Sequence, residues 1–502
     1  MERSIKISEN DRAVFNNRVD FCVGTGRMGL ALQKEYYEQL KLVQKEIGFK
    51  HIRGHGLFCD DMAIYQEYRE DPRNPDSPCH VEYNFTYLDL VMDSYRELGL
   101  RPFIELGFMP KRLASGEQTI FYWKGNTTPP KSYEEWCRLV RATLSHLVQR
   151  CGEEAYEYPI EVWNEPNLPG FWYRADMKEY FKLFKESFLA IKALDSRFKV
   201  GGPAICGVRD EEWISEFMSF CRSEGLKIDF VTRHHYTTEL PEHSGHYGYA
   251  KLMESEAGFE NLKTTRDIID SFPEYRGLPI HITEFNTSYI PNCPIHDTNL
   301  NAAYLGRQLS RLGDVNESYS YWTFGDIFEE QGVPFTPFHG GFGMVANGCI
   351  PKPTFYAFKF FKQLDGECMY KDDDAIVMKT EEGYKICCWN ICPKGENKEL
   401  TLRLLLPGSG EYSLVTSTVD ESCCNPLKLW HDMGEPSSLS DSELSLLREA
   451  ARPLIGSSRI AADGELSVSL TLGRNALVYA ELKKSSLTPD RGYDYERATT
   501  TL

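Results

Sequence analysis

Two short stretches contain the residues best suited to chemistry, and each centres on a glutamate. Glu165 lies in VWNEPN, residues 162–167, and Glu284 lies in HITEFN, residues 281–286. Each glutamate follows apolar and β-branched residues, which is typical of the end of a β-strand. Two carboxyl groups at neighbouring strand ends can supply the acid and the nucleophile of glycoside hydrolysis. The surrounding elements must therefore bring these two glutamates together.

The length and composition indicate a large soluble protein with two folding units. At 502 residues the chain is long enough for one large barrel and a smaller module. Its 41% apolar and 26% charged residues are typical of globular proteins. The net charge of −18 opposes contact with nucleic acid phosphates or an anionic membrane surface, so we expect neither partner. An aromatic content of 13% is compatible with a small carbohydrate ligand.

The cellular location and the metal content are predicted from what the sequence lacks. Residues 1–11 contain no apolar segment of a secretory signal, and no apolar run approaches the roughly 20 residues of a membrane-spanning helix. Fifteen scattered cysteines are typical of reduced thiols in a cytoplasmic protein. The clusters at 387–392 and 423–424 lack the paired spacing of zinc sites, so we expect no metal.

The first 325 residues alternate apolar, β-rich runs with amphipathic helical patterns. Ser132 followed by Glu135 forms a capping-box sequence at one predicted helix start. Buried strands that alternate with helices predict an α/β fold, and eight such units over about 300 residues predict a (β/α)₈ TIM barrel. The predicted strands are residues 19–26, 51–58, 101–108, 159–165, 198–204, 229–236, 280–284 and 318–324.

The chain changes character after Gly325. A loop rich in Gly, Pro and Phe leads to an aromatic helix at 355–364, and alternating runs with turns between them then predict a β-sandwich. A polar segment near 432–452 predicts a helical insert. The predicted domains are an N-terminal segment 1–18 that could join the sandwich, a catalytic barrel 19–330, a connecting loop and aromatic helix 331–365, a sandwich 366–490, and a flexible tail 491–502.

The barrel topology predicts one pocket for both glutamates. Active sites of such barrels lie at the C-terminal ends of the strands. Glu165 ends the fourth predicted strand and Glu284 ends the seventh, so both side chains are expected at this face.

These residues resemble glycoside hydrolase family 39, a member of the clan of retaining barrel glycosidases. The resemblance is carried by WNEPN at 163–167 and ITEFNTSY at 282–289. It covers the whole barrel and, more loosely, the sandwich, and the combined set is similar to the β-xylosidases of the family. Further matching stretches are RGHG at 53–56, DD at 60–61, RHHY at 233–236, YWTF at 321–324 and EE at 329–330.

The resemblance implies a retaining, exo-acting β-xylosidase that releases D-xylose from the non-reducing end of short xylo-oligosaccharides. Glu165 is then the acid/base and Glu284 the nucleophile. Only one of the adjacent residues Glu329 and Glu330 can point inward on an extended segment, which leaves the pair open, and we choose Glu330. The chemistry needs no cofactor, and the family resemblance suggests a homo-oligomer, such as a tetramer. The implied substrate-binding residues are Asn164, His55, Arg53, His234, Tyr236, Trp322 and Glu330.

Several alternative interpretations remain at this point. The same family includes enzymes for other sugars, such as α-L-iduronidases, and β-glucosides or β-galactosides are further options. GTGRMG at 24–29 has the spacing of a dinucleotide fingerprint, which would indicate an NAD(P)-dependent oxidoreductase. Residues 52–55, IRGH, offer no acidic group for a ribose, and eight βα units exceed the six strands of that fold. A catalytically inactive sugar-binding protein is the non-enzymatic alternative.

Overall fold

The N-terminal two thirds of the chain form a closed barrel of eight parallel strands, which confirms the predicted fold class. The structure, a computed structural model, describes residues 1–253, 255–485 and 492–500. Each barrel strand overlaps one of the eight predicted strands. In chain order they are Cys22–Arg27, His51–His55, Arg101–Leu106, Pro159–Val162, Lys199–Ile205, Phe230–Tyr236, Ile280–Asn286 and Ser318–Tyr321.

Helices alternate with these strands and cover the outside of the barrel. The predicted cap is present, since the Ser132 side chain accepts a hydrogen bond from the Glu135 backbone N–H. After the eighth strand, helix Pro353–Lys362 packs on the barrel, with the Phe358 and Tyr321 ring centroids 4.9 Å apart. The preceding helices are Lys34–Glu46, Thr86–Glu97, Tyr133–Cys151, Met177–Leu194, Asp210–Ser223, Ser255–Asp270 and Asn299–Arg311.

The C-terminal region is a β-sandwich of two facing sheets. Its core includes Ile5, Leu404 and Ile386, and in strand Leu400–Pro407 alternate side chains point into it. The N-terminal strand Glu2–Lys6 belongs to the sandwich, because it pairs in parallel with that strand. One sheet contains Glu2–Lys6, Leu400–Pro407 and Glu465–Leu472; the other contains Glu367–Lys371, Ala375–Lys379, Gly383–Trp389, Leu477–Lys484, Gly410–Val419 and Leu454–Ala462.

Two short helices lie in the region of the predicted helical insert near 432–452, and the first of them ends where the predicted insert begins. They are Pro426–Asp432 and Asp441–Ala450, and the second begins with a full capping box between Ser440 and Glu443.

The predicted tail is described over residues 492–500, where Tyr495–Thr500 is helical. Residues 486–491, 501 and 502 lie outside the described residues. Among the residues that the structure describes, no helix is long and apolar enough to cross a bilayer.

Short hairpins and short 3₁₀ helices lie in the loops between the main elements. The hairpins follow the second, third, sixth and eighth barrel strands, and they surround the C-terminal face of the barrel. They are Tyr65–Arg69 with Cys79–Tyr83, Thr119–Ile120 with Gly125–Asn126, Glu242–Ser244 with Tyr247–Tyr249, and Val345–Ala346 with Ile350–Pro351. Short 3₁₀ helices are Asp60–Met62, Gly152–Glu157, Tyr173–Ala175, Pro273–Tyr275, Pro294–Asp297 and Pro393–Gly395.

The glycine-rich segment 24–29 does not form a dinucleotide site, so the oxidoreductase alternative is wrong. The segment joins the first strand of a closed barrel to the 3₁₀ helix Met28–Leu32, whereas a dinucleotide fold needs an open sheet. A Cβ added at Gly24 would overlap the ring of Trp322, and one at Gly29 would overlap the carboxylate of Asp61. These glycines therefore allow close packing at the mouth of the barrel.

Candidate active site

A cavity of about 570 Å³ opens at the C-terminal ends of the barrel strands. Such a cavity at this face is the expected place for an active site in a barrel enzyme. Eight of the nine predicted site residues line it: His55, Asn164, Glu165, His234, Tyr236, Glu284, Trp322 and Glu330. The ninth, Arg53, lies beneath the cavity.

The two glutamates meet at the floor of this cavity. A carboxylate oxygen of Glu165 and one of Glu284 lie within 4.8 Å of each other, and the side chains belong to residues only 8% and 4% exposed. Glu284 lies within the seventh strand, Ile280–Asn286. Glu165 follows the fourth strand in a left-handed backbone conformation with φ 44°, as does Trp163 with φ 76°. Such a backbone costs of order 1–3 kcal/mol per residue, and the cost is common where a functional side chain must be aimed.

Both oxygens of Glu284 accept hydrogen bonds from strong donors. Arg53 Nη1 donates to Oε1 over 2.8 Å, and the Tyr236 hydroxyl donates to Oε2 over 2.7 Å. Burial raises the pKa of Tyr236 well above its usual value, so its hydroxyl keeps the proton that it donates. These contacts hold the carboxylate of Glu284 in one orientation beside a positive charge.

Arg53 is fully buried and contacts protein groups on every side. Its guanidinium reaches Glu105 at 2.9 Å, Glu161 at 2.6 Å, Glu284 at 2.8 Å and the Asn164 side-chain oxygen at 2.8 Å. It therefore lies below the residues that line the cavity, where it contacts Glu284 and Asn164. The physical reason is that one buried guanidinium must neutralise several buried carboxylates.

Glu165 has the properties of a general acid. Burial raises the pKa of its carboxyl to about 7, although the charges of His55 and Arg53 oppose that shift. His234 Nδ1 lies 2.8 Å from Glu165 Oε1 and orients the group. Burial lowers the pKa of His234 to about 4, so this imidazole is neutral near pH 7. Glu165 can therefore hold a proton close to neutral pH.

Two buried carboxyl groups of the site were not predicted from the sequence. Glu105 lies 2.7 Å from His55 Nδ1, and Glu161 accepts from Thr283 over 2.8 Å as well as from Arg53. Burial raises the pKa of Glu105 to about 8. The sequence does carry a signal for both, because each is the one acidic residue inside an otherwise buried apolar strand, where a charge requires a partner.

The structure also separates the roles of the adjacent residues Glu329 and Glu330. Glu330 lines the cavity, whereas Glu329 forms an ion pair of 2.8 Å with Arg27. Burial, together with the charges of Glu284 and Glu165, raises the pKa of Glu330 well above its usual value. The prediction that Glu330 is the inward residue of the pair agrees with this placement.

Three potential metal ligands converge among the residues that the structure describes. They are Glu165, His234 and Glu284, whose ligand atoms lie within 4.8 Å of one another. These atoms already bond to each other or to Arg53, whose buried positive charge would repel a cation. Cys387 and Cys388 pack into two different hydrophobic cores on opposite faces of their strand. The donor set thus fits acid/base chemistry better than metal binding.

Comparisons with known proteins agree with this geometry. The model of glycosyl hydrolases family 39 matches residues 4–467. A β-xylosidase of Geobacillus stearothermophilus is 46% identical over 96% of this chain and 95% of its own length, and one of Caldicellulosiruptor saccharolyticus is 36% identical over 86% and 87%. The solved structure of a monomeric β-xylosidase from Caulobacter crescentus CB15 superposes with a TM-score of 0.86 at 32% identity, covering 96% of this chain and 100% of that one. The predicted family resemblance is confirmed: the chain belongs to family 39 of the glycosyl hydrolases.

Proposed function

We propose that this protein is a retaining, exo-acting β-xylosidase that releases D-xylose from the non-reducing end of short xylan-derived oligosaccharides. The observation that carries the proposal is the approach of Glu165 and Glu284 to within 4.8 Å at the cavity floor. Retaining glycosidases place their two carboxyl groups about 5–5.5 Å apart, whereas inverting ones need about 6.5–9.5 Å to admit a water. The similarity to two curated β-xylosidases supports xylose as the sugar.

The proposed reaction has two displacement steps. First, a carboxylate oxygen of Glu284 bonds to the anomeric carbon while the bond to the leaving oxygen breaks, and Glu165 gives its proton to that oxygen. Glu165, now ionised, then takes a proton from water, whose oxygen attacks the anomeric carbon and releases Glu284. Arg53 and Tyr236 supply the donors that keep the leaving carboxylate of Glu284 in place.

The remaining cavity residues are proposed to bind the sugar hydroxyl groups. The Asn164 side-chain oxygen is occupied by Arg53, which leaves its NH₂ group to donate to the sugar 2-OH. His55, Trp322 and Glu330 lie on the half of the barrel opposite Glu165, and the rings of His55 and Trp322 are 4.6 Å apart. We propose that these residues enclose a single terminal sugar, as exo action requires.

A uronic acid substrate is less well supported by the charges of the site. Recognition of a sugar carboxylate needs a cation that faces the cavity. Arg53 lies beneath the cavity among three carboxylates, and Arg233 forms an ion pair of 2.9 Å with Asp210. Glu330 adds a further carboxyl group to the wall. These contacts favour a neutral sugar.

The anomer that forms first tests the retaining mechanism. We expect ¹H NMR of a fresh digest of an aryl β-D-xyloside to show β-xylose before mutarotation produces the α anomer. If α-xylose appeared first, the double displacement would be wrong. Turnover of aryl β-glucosides, β-galactosides or iduronides that is faster than turnover of the aryl β-xyloside would overturn the assignment of xylose but not the retaining mechanism.

The pH dependence of kcat/KM should report the protonation of Glu165. Because burial raises the pKa of Glu165 to about 7, the free enzyme holds the catalytic proton below that pH and loses it above. We expect kcat/KM for an aryl β-xyloside to fall about tenfold per pH unit on the alkaline side. In the Glu165→Ala variant, kcat/KM for a 2,4-dinitrophenyl xyloside, whose leaving group needs no proton, should show no such decline with pH. A decline that persisted in the variant would assign it to another group.

We further propose that the protein is cytoplasmic and forms a homo-oligomer. All fifteen cysteines are free thiols, which supports a reducing compartment. Leu446, Leu454 and Ile455, on the second helix of the insert and on the following strand, are each more than half exposed and offer an apolar contact surface. A solution mass above the 57.7 kDa of one chain, measured by light scattering, is expected.

A further inference from the structure

The mouth of the active-site cavity differs in chemistry from its floor. The floor is polar, whereas the mouth carries apolar side chains that we call the outer wall. Two of its residues, Leu240 and Val208, are 87% and 50% exposed, in contrast to the buried carboxyl groups below. The outer wall consists of Leu168, Phe171, Val208, Leu240, Met253 and Tyr289.

The outer wall lies on the side from which the leaving group departs. Its residues belong to the loops after the fourth to seventh barrel strands, which are neighbours in the sheet. Glu165 follows the fourth of these strands and would protonate the leaving oxygen. His55 and Trp322, which would enclose the sugar, extend from the second and eighth strands on the other half. The aglycone must therefore contact the outer wall.

The polar side chains of this half bond mainly to one another. Arg233 donates to Asp210 over 2.9 Å and also to Asn261, and His235 Nε2 lies 3.3 Å from the Gln308 side-chain oxygen. Among the described residues that line this half of the cavity, two buried polar atoms lack a partner, His234 Nε2 and the Thr238 hydroxyl. His234 lies at the buried end beside Glu165, so the outer part of this half offers mainly apolar contact to an aglycone.

We infer that the outer wall binds an apolar aglycone, such as an alkyl chain, so that the enzyme accepts alkyl β-xylosides as well as xylo-oligosaccharides. The inference rests on the proposed function, because it takes Glu165 as the acid and the opposite half as the sugar site. Burial of one methylene group is worth roughly fourfold in affinity. That gain appears in kcat/KM when the contact is kept in the transition state.

The test compares methyl β-D-xyloside with hexyl β-D-xyloside below its micelle concentration, and hydrolysis of xylobiose tests the proposed function separately. Methanol and hexanol are leaving groups of similar basicity, so the ratio of the two kcat/KM values reports apolar contact alone. We expect hexyl xyloside to exceed methyl xyloside by at least about tenfold, from two or more buried methylenes. A smaller hexyl-to-methyl ratio would overturn the inference, whether or not xylobiose is hydrolysed.

Substitutions in the outer wall test whether its residues contact the alkyl chain. In the double variant Leu240→Ser, Met253→Ser, the hexyl-to-methyl ratio should fall to within about threefold, and an unchanged ratio would contradict the role of the wall. The matched control is Leu90→Ser, an exposed leucine of helix Thr86–Glu97 on the outside of the barrel, which should leave the ratio and both rates unchanged. If no xyloside is hydrolysed but another glycoside is, the proposed function fails, and the same alkyl pair on that sugar still tests the wall.

Discussion

Glu284→Gln lowers kcat for an aryl β-xyloside by at least about 10⁴-fold, the scale seen when a nucleophile is removed from an enzyme. Glutamine has the shape of glutamate, so it fills the same space, although its NH₂ group replaces one of the two oxygens that accept from Arg53 and Tyr236 over 2.8 and 2.7 Å. An amide cannot form the glycosyl ester, so the first displacement is lost. Initial rates with a nitrophenyl xyloside, at enzyme concentrations high enough to see slow turnover, measure the effect.

Glu165→Gln is the matched control for this prediction. It removes the proton donor but leaves the nucleophile, so the loss in kcat/KM, which reports the first displacement, should depend on the leaving group: large for an alkyl xyloside and small for a dinitrophenyl one. Glu284→Gln should be inactive with both. The thermal midpoint of each variant shows whether it is folded. A folded Glu284→Gln variant that retained more than about one per cent of kcat would exclude Glu284 as the nucleophile.

Lys352→Met lowers the free energy of unfolding by about 3–5 kcal/mol, as expected when one partner of a buried ion pair is removed. Lys352 Nζ lies 2.6 Å from Asp297 Oδ1 and 2.6 Å from Asp326 Oδ2, and all three side chains are nearly or fully buried. The other carboxylate oxygens accept the backbone N–H groups of Gly340 and Gly343. Without the ammonium group, two carboxylates are left buried without a counter-charge. Equilibrium unfolding in urea, followed by tryptophan fluorescence, measures the loss.

Lys359→Met provides the comparison. This lysine lies on the next helix and pairs with Glu46 at 2.7 Å, but both side chains are more than one quarter exposed. Its removal should change the free energy of unfolding by less than about 1 kcal/mol. Equal losses in the two variants would show that burial is not the cause. The loop held by Lys352 also carries Phe342 into the cavity wall, so activity should fall in Lys352→Met as well.

The barrel was predictable because its strands are buried on both faces. Strand Ile280–Asn286 is buried at all seven positions, and its apolar and β-branched residues at 280, 282, 283 and 285 are visible in the sequence. Strand Leu454–Ala462 gives no comparable signal, because it lies at a sheet edge and most of its side chains are exposed. Edge strands acquire their structure from a neighbour, here Gly410–Val419.

The candidate site was predictable for those residues that carry their own motif. Glu165 and Glu284 stand in recognisable stretches, and the structure brings both to one cavity. The position of Arg53 was different, because its motif places it near the site but does not show which way its side chain points. Leu240 and Met253 carried no signal at all, since an isolated apolar residue in a loop has no distinctive neighbours.

The sequence by itself determined which residue types end each barrel strand and which family the chain belongs to, because strand patterns and motifs are local. The tertiary structure alone decided the separation of the two carboxyl groups and the protonation of Glu165. The guanidinium that contacts Glu284 belongs to Arg53, 231 positions away in the sequence, and burial inside the barrel raises the pKa of Glu165. Distance and desolvation depend on neighbours that are remote in the chain and close in space. The division of the cavity into a polar floor and an apolar mouth also arises only when the loops assemble.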